Sequence, residues 1–132
     1  MASQDNVARL RQALDAWNSV DHRNDYYSIY APDAVIHAHG VTSVDALRPF
    51  YDAIWAAFPD AKVTLDEAVA EGEKLAYKAN LRGTHRGSFG GLPPTGRSFV
   101  LYEIGILDFA NGKIIRRWAL DNAHEKQAQL QG

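Results

Sequence analysis

The side chains that could transfer protons lie mostly in the C-terminal half of the chain. Glu103 and Asp121 are carboxylates, His85 is an imidazole, and Trp118 and Asn122 carry N–H donors. A carboxylate in an apolar cavity has its pKa raised toward neutrality, and an amide, imidazole or indole N–H beside it can stabilise an oxyanion. These residue types therefore allow general acid–base chemistry, provided that the fold brings them together.

No comparable pattern indicates a metal or another cofactor. The 132 residues include no cysteine, which excludes thiolate zinc sites, cysteine nucleophiles and disulfides. His37 and His39 would point to one face of a strand, but no third residue at ligand spacing joins them. We predict two core or rim histidines, no metal and no cofactor.

The strands that carry the two carboxylates should form a hairpin around Asn111-Gly112, the strongest short turn signal in the chain. A two-residue turn fixes the register of the strands on either side of it. The opposed pairs would then be Ala110 with Lys113, Gly105 with Trp118, Glu103 with Leu120, Tyr102 with Asp121, and Leu101 with Asn122.

Glu103, Trp118 and Asn122 would share one face of this hairpin. Glu103 would lie diagonal to Asn122, with about 7–8 Å between the backbones. Asp121 would point to the opposite face, beside Tyr102, unless a bulge shifts the strand. The register thus predicts that only one of the two carboxylates can enter a given cavity.

The rest of the chain supplies the elements that must position these residues. Helical spacing runs over 7–20, 25–30 and 44–58, and Pro32 and Pro59 should end the second and third helices. Alternating apolar residues indicate strands at 34–39, 63–69, 75–81, 99–109 and 114–122.

Helices gathered before an antiparallel sheet predict an α+β fold in a single domain, residues 1–132, with the helices on one face of the sheet. A sheet that curls around the helices leaves one concave, partly apolar cavity, the usual form of a small-molecule site. The aromatic residues of the helices, Tyr51 and Trp55 among them, are more typical of helix packing, although some should border this cavity.

Composition narrows the partners. Hydrophobic residues make up 46% of the chain and charged residues 23%, which is typical of a globular protein. The net charge of -2 and the lack of a lysine or arginine run argue against nucleic-acid and anionic-membrane partners. This charge balance favours a small neutral or weakly charged molecule as the partner. No signal peptide or membrane span is predicted, so we expect a cytoplasmic protein.

Several segments resemble the SnoaL-like polyketide cyclases. The match is carried by residues 83–97 (GTHRGSFGGLPPTGR) and by 111–114 (NGKI) followed by Trp118. Residues 57–60 (AFPD), 70–74 (AEGEK) and 129–130 (QL) fall at the family's spacing as well. The resemblance implies the cone-shaped fold of nuclear transport factor 2, which ketosteroid isomerase and scytalone dehydratase share.

The resemblance also implies a reaction. Family members of known chemistry close a polyketide ring by intramolecular aldol condensation, without metal or organic cofactor, and use an acidic residue on the last strand. Aligned without gaps, that acid corresponds to Asn122 here, and the nearest carboxylate is Asp121, one position earlier. An amide cannot act as a general base near pH 7.

The alignment assigns the face of Asn122 to the pocket, which makes Glu103 the expected base. Asp121, Asn122 and His85 are the other candidate catalytic residues. Glu103 could instead be a solvated residue paired with Arg116 or Arg117, and His85 a hinge histidine bonded to the loop at 87–96. The candidate substrate-binding residues are His37, Tyr51, Trp55, Leu101 and Trp118.

Two classes of function remain open. The first is a polyketide cyclase-like enzyme that performs aldol-type cyclisation or isomerisation of a small enolisable or polycyclic ketone. The second is a pocket protein of the same fold that binds such a molecule without converting it, an alternative that the position of Asn122 keeps open.

Both would form a homodimer, because the last two strands are apolar on both faces. The outward set would be Val100, Tyr102, Ile104, Ile106, Ile115 and Ala119.

Overall fold

The predicted helices and strands are present, with a short strand and a C-terminal helix added. The computed structural model describes residues 2–131. Its elements are α1 (Ala2–Trp17), a 3₁₀ helix (Arg23–Ile29), β1 (Tyr30–Ala38), β2 (Val41–Ser43), α2 (Val44–Ala57), β3 (Lys62–Glu71), β4 (Lys74–Thr84), β5 (Ser98–Ala110), β6 (Lys113–Asp121) and α3 (Ala123–Gln131).

The six strands form one curved, unclosed sheet in the order β2-β1-β6-β5-β4-β3. β1 runs parallel to β6, so the prediction of a wholly antiparallel sheet is wrong at this pair. Pro32 lies inside β1 and does not precede it. It is tolerated because pairing with β6 is interrupted between Tyr30 and Val35, where a missing N–H removes no ladder hydrogen bond.

The register of the β5–β6 hairpin differs from the prediction because β6 contains a bulge. Ala110 pairs with Lys113 as expected, but the ladder shifts between Phe109 and Asp108, which leaves Ile115 as an extra residue. The bulge lets Ile114 and Arg117 both face the interior, where they are 1% and 5% exposed. Every later residue of β6 is therefore on the face opposite to the one predicted.

Two side-chain amides complete the hydrogen bonding at strand positions that have no neighbouring strand on one side. Gln129 of α3 accepts from the Val100 N–H at 2.8 Å and donates to its carbonyl at 2.9 Å. Asn18, which follows α1, does the same for Val63 on the edge strand β3, with both distances 2.8 Å. Each amide imitates one residue of a missing strand and fixes a helix to the sheet.

The core lies between the concave face of the sheet and the helices. α2 starts where Ser43 accepts a hydrogen bond from the Ala46 N–H at 3.2 Å. α3 adds Leu130, which is 1% exposed, to this core. No helix among residues 2–131 has the length and apolar character needed to span a membrane.

Replacing Gln129 with alanine should lower the free energy of unfolding by about 1–3 kcal/mol, since the Val100 N–H and carbonyl would lose their partner. Leu130→Ala should lower the free energy of unfolding by about 2–5 kcal/mol, because removal of the buried side chain leaves a cavity. Urea denaturation measures both changes, and Gln12→Ala on the exposed face of α1 is the control. A Gln129→Ala effect no larger than that of Gln12→Ala would contradict the strand-imitating role.

Candidate active site

A cavity of about 720 Å³ lies between the concave face of the sheet and the helices. This volume is within the range of small-molecule sites. Much of its wall is apolar and includes Leu10, Leu14, Trp17, Phe50, Ile54, Leu101 and Leu107. The polar residues that line it include Tyr26, Tyr30, His39, Tyr51, Tyr77, Glu103, Arg117 and Asp121.

Arg117 is the centre of this polar group and is only 5% exposed. Its Nη1 donates to the hydroxyl oxygens of Tyr30 at 3.0 Å and Tyr51 at 2.8 Å. Its Nη2 donates to Glu103 at 3.0 and 3.2 Å, and lies 3.2 Å from Nε2 of His39. Burial alone lowers the pKa of Arg117, but the surrounding tyrosines and Glu103 outweigh it and raise that pKa well above its ordinary value. The guanidinium is therefore a fixed positive charge.

Glu103 is held in the cavity by two donors. Besides Arg117, the hydroxyl of Tyr77 donates to its Oε2 at 2.6 Å. Burial raises the pKa of Tyr77 well above its usual value, so this hydroxyl keeps its proton. Gly105 makes the contact possible, because a Cβ at this position would lie 2.7 Å from the Tyr77 ring.

Asp121 lies directly opposite Glu103 in the hairpin, and both line the cavity. The prediction that they occupy opposite faces is wrong, because the bulge at Ile115 turns Asp121 inward. Two carboxylates opposed on one face repel each other. His39 lies between them, with Nδ1 3.1 Å from Oδ2 of Asp121 and Nε2 3.3 Å from Oε1 of Glu103.

His39 reaches this position by leaving the strand geometry. It follows the end of β1 with φ of 57°, in the left-handed region, and its ring stacks on Phe50 at 4.6 Å. His37 also borders the cavity but is exposed, and it alternates with the buried Ile36 and Ala38. The prediction that the two histidines share a face is therefore wrong.

The hydrogen-bond network places a proton on Nδ1 of His39. Nε2 of His39 faces both an Arg117 donor at 3.2 Å and a Glu103 acceptor at 3.3 Å, whereas Nδ1 faces the carboxylate of Asp121 at 3.1 Å. Nδ1 then carries the proton and donates to Asp121. The other oxygen of Asp121 accepts from the Ala123 N–H at 3.0 Å. In this arrangement the imidazole of His39 orients the Asp121 carboxylate.

His39, Glu103 and Asp121 are also a group that could hold a metal ion, since their ligand atoms lie within 4.8 Å of one another. The prediction that no such cluster exists is thus wrong, because the partners of His39 are 64 and 82 residues away along the chain. The guanidinium of Arg117, however, already bonds to Glu103 and His39. A bound cation would lie next to this fixed positive charge and compete for the same donor atoms.

Four predicted site residues do not line the cavity: Asn122, His85, Trp118 and Trp55. Asn122 accepts from the Tyr102 N–H at 2.8 Å and continues the sheet beyond Asp121. His85 is fully buried, and its Nδ1 lies 3.0 Å from Oγ1 of Thr95, where it holds the loop before β5. Trp118 is 43% exposed on the outer face of the sheet, because the bulge turns it away from the interior.

Trp55 and the remaining predicted residues lie on the inner side. Tyr51 and Leu101 line the cavity, and Trp55 is buried beside it against Trp17, at 5.2 Å between ring centres. Glu103 pairs with Arg117, as one of the alternatives from the sequence allowed, but the pair is largely buried and not solvated. The roles of Tyr77 and His39 were not predicted. For His39, the His39-Gly40 pair at the predicted end of a strand was an available signal, since both residues tolerate a left-handed backbone.

Solved structures resemble this chain over nearly its whole length. AclR of Streptomyces galilaeus, a proposed hydroxylase, is 23% identical with a TM-score of 0.89, over 98% of this chain and 82% of AclR. IdmH of Streptomyces antibioticus, a proposed polyketide cyclase, is 29% identical with a TM-score of 0.81, over 98% of each chain. A proposed SnoaL-like polyketide cyclase of Jannaschia sp. CCS1 is 20% identical with a TM-score of 0.82, over 97% and 92%.

These structures confirm the predicted nuclear transport factor 2-like fold. No curated protein is significantly similar to the chain. The family model of the SnoaL-like polyketide cyclases matches residues 7–130. Because this match covers almost the entire sequence, the chain belongs to the SnoaL-like polyketide cyclase family.

Proposed function

We propose that this protein is a cofactor-independent enzyme that removes a proton next to a carbonyl group of a small enolisable or polycyclic ketone. The single observation that carries the proposal is the position of Asp121, a carboxylate oriented by His39 inside a largely apolar cavity. Aldol-type cyclisation or isomerisation follows from such a step. The proposed ligand is a hydrophobic, polyketide-like molecule, and no nucleic acid or membrane takes part.

Asp121 is the better of the two candidate bases. Glu103 accepts from the guanidinium of Arg117 with both oxygens and from the hydroxyl of Tyr77, and taking a proton would disrupt this charge-assisted pairing. Asp121 accepts from the N–H groups of His39 and Ala123 and lies directly opposite Glu103 on the cavity face. This reverses the role expected from the sequence, in which Glu103 was the base.

The reaction balances without an added reagent. Asp121 takes a proton from the carbon beside the ketone, and the C–H electron pair forms the enolate. The enolate carbon then bonds to a second carbonyl carbon of the same molecule, whose π pair moves to its oxygen, and the alkoxide recovers the proton from Asp121. The product is an isomer of the substrate.

Family membership supports this choice. The resemblance implies an acidic residue on the last strand, and Asp121 is the last residue of β6. The one-residue offset that placed Asn122 at the family's position is compensated by the bulge at Ile115, which turns Asp121 to the cavity. The family's reaction type is therefore compatible with this chain.

The second candidate function is a pocket protein that binds such a ligand without converting it. It is favoured by the fact that both carboxylates already have partners, Glu103 with Tyr77 and Arg117, and Asp121 with His39. A cavity whose carboxylates are already held by donors of the protein can bind an apolar molecule without proton transfer.

We further propose a homodimer that covers the outer face of the sheet. This face exposes a set of large apolar side chains, each 42–58% accessible: Val35, Tyr102, Ile104, Ile106, Ile115, Trp118 and Leu120. Of the residues predicted for it, Ala119 lies instead on the inner face and is 7% exposed. An apolar patch of this kind is typical of a subunit interface, and a two-fold axis would pack it against itself.

Asp121→Asn should reduce turnover by a factor on the order of 10²–10⁴, because the amide cannot take the proton. The assay is exchange of the α-protons of 2-tetralone with D₂O, followed by NMR, which needs no knowledge of the natural substrate. Glu67→Gln on the exposed edge strand β3 is the control. Exchange that survives in Asp121→Asn and is lost in Glu103→Gln would identify Glu103 as the base. Wild-type protein that binds 2-tetralone without exchanging its protons would support the pocket-protein alternative.

Chelation should leave this exchange rate unchanged, because Arg117 already bonds to Glu103 and His39, two of the three residues that could bind a metal. The measurement is the rate before and after EDTA treatment, with elemental analysis of untreated protein. A stoichiometric metal whose removal abolishes exchange, and whose return restores it, would refute the cofactor-independent mechanism.

Leu120→Lys should convert the dimer to a monomer, since it places a charge within the apolar outer face. Sedimentation at micromolar concentration measures this, and Val20→Lys, at an exposed position in the turn after α1 and outside the sheet, should leave the dimer intact. A monomeric mass for the wild-type protein would rule out the dimer.

A further inference from the structure

Three tyrosines around Arg117 have more hydroxyl protons than acceptors. Tyr26, Tyr30 and Tyr51 line the cavity and are only 5–6% exposed. Each hydroxyl carries one proton to donate, and a buried donor without an acceptor is unfavourable. A ligand in the cavity could supply the missing acceptors.

Tyr51 is the simplest case. Its oxygen accepts from Nη1 of Arg117 at 2.8 Å, and that guanidinium nitrogen cannot accept in return. Within residues 2–131, the structure gives its hydroxyl no other hydrogen-bond partner, so its own proton has no acceptor. Burial raises the pKa of Tyr51 to about 12, so the proton is present at physiological pH.

The Tyr26–Tyr30 pair contains a second hydroxyl proton that has no acceptor in the described part of the chain. Their hydroxyl oxygens are 2.6 Å apart, and the Tyr30 oxygen also accepts from Arg117 at 3.0 Å. If Tyr30 donates to Tyr26, the Tyr26 proton has no acceptor; if Tyr26 donates, the Tyr30 proton has none. In either arrangement one of the two protons is unused, as far as the described residues go.

We infer that Tyr51 and one member of the Tyr26–Tyr30 pair form an oxygen-binding subsite in the cavity, where their hydroxyls donate hydrogen bonds to the carbonyl oxygen of a ketone. The inference rests on the proposed function and deepens it, because the same oxygen becomes the enolate oxygen when Asp121 takes the proton. The positive charge of Arg117 behind the two hydroxyls polarises them toward that oxygen.

The proton count also defines the ligand group. A ketone or enolate oxygen brings lone pairs and no proton, which matches two spare donors. A ligand hydroxyl would add a third proton to a group that already lacks acceptors. The subsite therefore selects a carbonyl over an alcohol at the same position.

The test compares two ligands of nearly equal shape, 2-acetylnaphthalene and 2-isopropenylnaphthalene, in which a CH₂ group replaces the carbonyl oxygen. Titration calorimetry should show that Tyr51→Phe weakens the ketone by about threefold to tenfold, the loss of one neutral hydrogen bond. Binding of the hydrocarbon should be unchanged, because phenylalanine keeps the ring. The infrared carbonyl stretch of the bound ketone should move to higher frequency in this variant.

Tyr27→Phe is the matched control. Tyr27 is equally buried at 5% exposed, belongs to the same 3₁₀ helix as Tyr26, and has a hydroxyl without a partner, but it does not line the cavity. It should alter neither ligand's affinity. Tyr26→Phe should have a smaller effect than Tyr51→Phe, because Tyr30 still has a proton to donate.

Equal binding of the ketone and the hydrocarbon by the wild-type protein would overturn the subsite. So would a Tyr51→Phe variant that weakens both ligands alike, or one that leaves the carbonyl stretch in place. Failure of the proposed function gives a different result: 2-tetralone would not exchange its protons, while the Tyr51-dependent preference for the ketone would persist.

Discussion

The buried guanidinium of Arg117 is the constraint on which the candidate site depends. Removing a charge from water costs several kcal/mol unless partners satisfy it. All four terminal N–H groups of Arg117 have acceptors, contributed by Tyr30, Tyr51, Glu103 and His39. These four residues come from two strands, a helix and the turn after β1, so a single side chain determines how these elements meet around the cavity.

The same interaction separates the roles of the two carboxylates. Glu103 balances the charge of Arg117, and Tyr77 fixes it further across the gap that Gly105 leaves. Asp121, directly opposite, accepts instead from the N–H groups of His39 and Ala123. The ring of His39 lies between the two acids and separates their charges. Its left-handed backbone is unfavourable for a residue with a Cβ, but it places the ring between Glu103 and Asp121.

Local patterns predicted most of the architecture, and non-local effects account for what they missed. Helical and alternating spacing located the two long helices and five strands, because each pattern reflects burial within one segment. α3 escaped prediction since Leu130 is its single buried apolar anchor and Gln129 acts through the backbone of β5. The resemblance identified the family. The face on which Asp121 lies depends on the bulge in β6, which no turn residue in the sequence predicts.

That bulge also links the site to the outer face of the sheet. A regular hairpin would bury Trp118 and Leu120 and would turn Arg117 and Asp121 outward. The observed register does the reverse and leaves these two large apolar side chains 43% and 58% exposed. Exposure of a leucine alone forgoes about 1.5–3 kcal/mol, so the interior contacts of Arg117 must outweigh this loss in a monomer. A second subunit that covers the same face would recover the lost burial, and dimerisation would then favour the register that turns Asp121 into the cavity.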